Sequence, residues 1–193
     1  MSTGSFEAEL LDVLRPSGLR SGHCLPKNRI HQEGLWHGTV HLWIYDKTKG
    51  LLCQKRADSK SINPGLWDFS AAGHIGAGES HRQAAIRELS EEVNLVLPAQ
   101  SLYYEGVYLS NRIYSEHLID REFNHIYSFI GEIDEAMLRP QREEVAELAF
   151  IPLEQLKDEW DHSPQNWVGH SKYYYQWLWR FAETSAIASS KRR

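Results

Sequence analysis

The chain has 193 residues, 41% hydrophobic and 24% charged, the composition of one soluble globular domain. Its 26 acidic against 21 basic side chains leave a net charge of −5, which argues against a polyanion-binding protein, because affinity for a phosphate backbone needs a basic face. It shows no apolar run of roughly 18 residues, no signal-peptide core near the start and only Cys24 and Cys53, so the expectation is a reduced, cytoplasmic protein with no nucleic-acid or membrane partner.

In chain order, residues 6–14 read as a short strand or helix and Arg15-Pro16-Ser17-Gly18 as a turn. From Trp36 the pattern alternates: Val40, Leu42 and Ile44 take one side, His41, Trp43 and Tyr45 the other, the period of a strand. Asp46 to Gly50 is a turn, residues 51–56 return as the second arm of a hairpin, and Asn63-Pro64-Gly65 turns again. Residues 81–97 are the clearest helix, with Ile86, Leu89 and Val93 at helical spacing and Pro98 as the stop. Residues 102–109 and 123–130 read as strands, 143–150 as a mixed segment and 153–160 as a short helix. Residues 173–181 form an aromatic-rich helix whose rings, at this spacing, make a packing face. Residues 183–193 are expected to be an unstructured tail behind one α/β domain spanning 1–182, with its core at about 35–155.

One stretch carries chemistry. Gly73-His-Ile-Gly-Ala-Gly-Glu79 is followed after seven residues by Arg87-Glu88-Leu89-Ser90-Glu91-Glu92. At about 100° per residue, Glu92 lies about 40° from Glu88 on one side and Glu91 about 60° on the other. Three like charges crowd one side of the helix and repel. Arg87 can neutralise one of them, and a hard divalent cation suits the remaining oxygen ligands. The glycines before the helix let the backbone approach a ligand closely. Most histidines of the ten read as surface or core residues, and His23, Cys24 and His31 lack structural-zinc spacing.

The stretch closely resembles the Nudix box, G-x5-E-x7-R-E-U-x-E-E-x-G-U, through Gly73, Glu79, Arg87, Glu88, Leu89, Glu91, Glu92 and Leu95; Asn94 stands at the last glycine, the next-best residue for a left-handed helix end. The resemblance implies an α/β/α sandwich around a central mixed β-sheet and cleavage of a nucleoside diphosphate linked to another group, X. It implies Glu88 and Glu92 as the main Mg²⁺ ligands (Mn²⁺ being an alternative), Glu91 as a further ligand or an acid held by Arg87, and the Ala72 carbonyl as completing the shell. Glu79 would pair with Arg87. The general base would come from outside the box, from Glu143, Glu144 or Glu147, with Glu122 behind them.

Beyond the box, Leu35 to His41, Gln54 to Ala57 and Pro64 to Asp68 look like the branch that includes isopentenyl-diphosphate isomerase. That likeness implies His31, His37 and His74 as ligands of a second metal, and Arg56 and Lys60 as holders of the diphosphate. Trp67 is a candidate pocket aromatic. The isomerase needs a cysteine where this chain has Ala72, and the second acid of its late metal-binding pair is read here as replaced by Asn124, beside Glu122. A pyrophosphohydrolase is therefore favoured, with an isomerase and a non-catalytic nucleotide-binding module as alternatives. X and the oligomeric state, a homodimer included, stay open.

Overall fold

The computed structural model describes residues 9–190, with side chains as far as residue 184. Nine strands form one sheet: β1 (Leu10–Leu14), β2 (Arg20–Pro26), β3 (Trp36–Asp46), β4 (Gly50–Arg56), β5 (Trp67–Phe69), β6 (Ala71–His74), β7 (Tyr103–Ser115), β8 (Leu118–Ile130) and β9 (Val145–Ile151). Helices α1 (Lys27–Glu33), α2 (His81–Val93), α3 (Leu153–His162) and α4 (Lys172–Ser190) accompany it. This is the expected α/β fold around a mixed sheet: β3 runs antiparallel to β6 and parallel to β8.

The alternation in β3 decides what each face holds. Val40, Leu42 and Ile44 are fully buried in one core with Ala85, Leu89 and Val93 of α2. Trp43 and Tyr45 belong to a second core with Phe69, Leu156 of α3, and Tyr174 and Leu178 of α4. His37, Thr39 and His41 continue the Trp43 face toward the strand's start, and of these His41 meets Tyr174 of the second core. The aromatic helix α4 is a packing face, as its spacing implied.

Helix α2 begins on a reciprocal capping box, with Ser80 and Gln83 each satisfying the other's backbone. It ends at Val93, four residues before the expected limit, because Asn94 takes the left-handed conformation at φ 57°. Its side chain also donates to the Met137 carbonyl at 2.8 Å.

Three further regions depart from the expectations. β2 and α1 occupy residues 20–33, which show no clear apolar period; β2 is mostly exposed and is held by its ladder to β1. β7 and β8 are longer than the apolar runs within them, 13 residues each, because cross-strand pairing carries the polar turn-proximal ends. The tail expected from residue 183 is instead helical backbone as far as Ser190, while residues 191–193, like residues 6–8 of the 6–14 segment, lie outside the described residues. No helix among the described residues is long and apolar enough to cross a membrane.

Leu89 is 1% exposed and locks α2 onto the sheet. Leu89→Ala should cost about 2–5 kcal/mol, read as a lower denaturant midpoint at unchanged slope.

Candidate active site

Two of the three carboxylates of α2, Glu88 and Glu92, lie against the sheet rather than in water, while Glu91 is exposed. Glu92 is 6% exposed and Glu88 7%. Glu92 Oε2 accepts from the Ala72 backbone N–H at 3.0 Å and from Gln54 Nε2 at 3.2 Å. Burial, reinforced by the Glu88 charge, raises the Glu92 carboxyl to about 8. Burial likewise raises Glu88 to about 7, with the Arg87 cation opposing. Gly73 is required by contact: a Cβ there would stand 2.0 Å from Glu88 Cδ.

Arg87 ties the glycine loop to the helix. Its guanidinium donates to both oxygens of Glu79, at 3.1 and 3.0 Å, to the His74 carbonyl at 2.9 Å, to Glu88 at 2.8 Å and to Glu91 at 3.0 Å. Glu79 also accepts from the Gly76 N–H at 2.9 Å. Arg87 therefore engages two of the three crowded acids, Glu88 and Glu91, where the sequence implied one, and leaves Glu92 without a basic partner.

A second cluster stands beside the first. His31, His37 and His74 bring their ring centroids within 5.1–5.4 Å of one another. Asp120 Oδ1 lies 3.7 Å from His31 Nε2 and 3.5 Å from His37 Nε2, and Glu122 joins His37 and Asp120 in the same group. His37 Nδ1 can meet the Leu35 carbonyl at 3.1 Å only as a donor, so its Nε2 carries the lone pair that faces the cluster. Burial lowers all three imidazoles below their usual range and keeps them neutral. Nε2 of each histidine and Oδ1 of Asp120 are buried without a hydrogen-bond partner. Four convergent orphans of this kind cost free energy unless an ion satisfies them, and a mixed nitrogen and carboxylate set suits a transition metal.

The reading of Asn124 is corrected here. The acid that partners Glu122 is Asp120, two residues earlier on the same face of β8. Asn124 orients Glu122 instead: Thr39 Oγ1 donates to Asn124 Oδ1 (3.1 Å), Asn124 Nδ2 to Ser110 Oγ (3.0 Å), and Ser110 Oγ to Glu122 Oε2 (2.9 Å). Sequence reasoning missed Asp120, although the alternation Asp120, Glu122, Asn124 was a usable signal.

Both clusters open into one cavity of about 300 Å³. Arg56, Lys60, Ala72, Arg87, Glu88, Glu91, Glu92 and Glu144 all line it. Trp67, Glu143 and Glu147 do not. Trp67 packs beside Trp167 in the second core, with ring centroids 6.2 Å apart, because its strand turns that side chain toward α3 and α4. Glu147 is exposed on β9 and pairs in register with Lys55, outside the cavity lining. Of the late acids, Glu144 remains, salt-bridged to Lys60; Glu143 is exposed.

Residues 35–178 match the family model described as NUDIX domain. The chain belongs to the Nudix family. Among Nudix relatives, Nudix hydrolase 3 of Arabidopsis thaliana is 36% identical over 154 residues, 78% of this chain; the chain spans only 20% of that protein's length. The isopentenyl-diphosphate Delta-isomerase of Serratia proteamaculans is 35% identical over 147 residues, 74% of this chain and 76% of that one. A crystal structure from Deinococcus radiodurans shares the fold with a TM-score of 0.61 at 18% identity, covering 80% of this chain and 90% of that one.

Two outcomes follow for the metal-free Nudix chain. Glu88 and Glu92 have folded pKa values near 7 and 8, against 4.5 as the ordinary value, so between about pH 5 and 8 the folded state binds more protons than the unfolded one. Stability should then fall as pH rises through that window, and Glu92→Gln should flatten the dependence, measured by calorimetry in chelator. Gly73→Ala should displace Glu88 and remove divalent-ion binding at the acidic set of α2, read by titration calorimetry as the loss of one binding event.

Proposed function

We propose that the protein is a divalent-cation-dependent pyrophosphohydrolase that cleaves a nucleoside diphosphate linked to X. The observation that carries this reading is the complete acidic set of α2, with Glu92 buried and lacking a basic partner. Glu88, Glu92 and the Ala72 carbonyl would hold Mg²⁺ or Mn²⁺, with Glu91 beside them; His31, His37, His74, Asp120 and Glu122 would hold a second ion. Such ions offset diphosphate charge and make bound water more acidic. Arg56 and Lys60 would bind the diphosphate oxygens through charge-assisted contacts. Lys60 is paired with Glu144, so an arriving phosphate competes for the lysine and leaves that carboxylate able to take a proton from water.

The second reading, allylic isomerisation, is favoured by the three-histidine, two-acid cluster and by the isomerase relatives. It lacks a proton carrier at Ala72, whose side chain is a methyl group. The test is direct. With Mg²⁺, the chain should release a phosphate-containing product from a nucleoside diphosphate derivative, and Glu92→Gln should lower the rate by about a hundredfold or more. With isopentenyl diphosphate in heavy water, NMR should show no deuterium entering carbon positions; enzyme-proportional exchange there would replace the hydrolase reading with the isomerase one.

A further inference from the structure

The cavity has a wall that neither metal cluster uses. It continues along the same face of β3, where His41 lies opposite Ala72 of β6 in the ladder, and it includes Asp68, Arg112 and His170. These side chains are joined to one another. Arg112 Nη2 lies 3.2 Å from His170 Nδ1, and a guanidinium can only donate, so Nδ1 accepts. His170 Nε2 therefore carries the proton, and it donates to Asp68 Oδ1 at 3.1 Å.

The protons of His41 are fixed by similar logic. Trp43 Nε1 donates to the Tyr174 hydroxyl oxygen at 3.1 Å. Tyr174 is fully buried, so its own proton needs an acceptor, and His41 Nδ1 stands 2.8 Å away. The ring is then neutral, with its N–H at Nε2 on the side left to the cavity. Asp68 complements it. Its Oδ1 accepts from both His170 and the Phe69 N–H, and no donor among the described residues reaches Oδ2.

The wall thus offers an N–H donor and a carboxylate oxygen acceptor. Its formal charges cancel, Arg112 against Asp68. A second phosphate would meet that carboxylate, and a hydrocarbon chain would leave the donor and the acceptor desolvated and unpaired. A hydroxyl, which both donates and accepts, satisfies both.

We infer that His41 and Asp68, held by Tyr174 and by the Arg112–His170 pair, form a subsite for an uncharged, hydroxyl-bearing group on the diphosphate, a sugar ring in size and chemistry, and that they reject a prenyl chain. This rests on the diphosphate-cleaving reading and names the class of X.

The test compares two probes that share a diphosphate and five carbons and differ in hydroxyls: ribose 5-diphosphate and isopentenyl diphosphate. Binding is measured by calorimetry on the full chain with Ca²⁺. The ribose compound should bind at least about tenfold more tightly, because a site built to pair hydroxyls penalises the analogue that lacks them. His41→Phe should remove the preference, and His41→Gln, which keeps a side-chain N–H donor, should restore most of it. Equal or tighter binding of isopentenyl diphosphate by the unaltered chain overturns the subsite whatever the variants do, and so does a preference unmoved in a folded His41→Phe. Hydrolysis of ADP-ribose with Mg²⁺ is assayed separately. A ribose preference without hydrolysis of nucleoside diphosphate derivatives would retain the subsite and remove the pyrophosphohydrolase reading; hydrolysis without the preference would do the reverse.

Discussion

Glu92 has given up nearly all of its hydration to lie against β6 and β4, with Glu88 one turn behind it and also desolvated. Neither position is tolerable by chance. Gly73 has no side chain because Glu88 fills that space, Gln54 is buried to donate one hydrogen bond, and the short strand β6 is placed so that the Ala72 N–H supplies another. The loop before the helix is tied by Arg87, whose five donors reach three carboxylates and a carbonyl. The glycine spacing, the capping box and the early stop at Asn94 all serve the placement of two acids that repel each other.

The central strand extends the same economy. One face of β3 is apolar from Val40 through Leu42 to Ile44 and seats α2. The other changes character along its length, from His37 through Thr39 and His41 to Trp43, so a single strand contributes a metal-type histidine, an orienting hydroxyl, a cavity-facing imidazole and a core aromatic. Such a gradient needs both neighbours. β8 brings Asp120, Glu122 and Asn124 alongside in parallel register, and α4 covers the Trp43 end and reaches His41 through Tyr174.

These features explain which parts were legible in the sequence. The β3 alternation and the α2 period are local, so Val40, Leu42, Ile44 and Leu89 announce their own burial. The acids of α2 are likewise local, fixed by helical geometry. The histidine cluster was legible in part: His31, His37 and His74 could be named through a likeness to relatives, whereas Asp120 could not be distinguished from any other acid beside a hairpin turn. Trp67 was misplaced because an aromatic beside a glycine loop looks the same whether its strand turns it toward the cavity or toward α3 and α4. Glu144 and Glu147 are both acids late in the chain, and only the fold separates Glu144, which lines the cavity just before β9, from Glu147, which is exposed within that strand. β2 and α1 left no apolar period because their stability comes from neighbours.

The parallel pairing of β3 with β8 has a consequence for how the molecule comes into being. His37 and Glu122 face each other in the ladder across 85 residues of chain, and the hairpin of β7 and β8 is the late partner. Closing so long a loop is slow relative to forming α2 or the β7–β8 hairpin. During synthesis the three histidines emerge well before Asp120 and Glu122, so the nitrogen half of the cluster waits, incomplete, until the second half of the sheet docks. The five-residue centre is thereby a marker of finished assembly, present only when the two halves of the sheet have met.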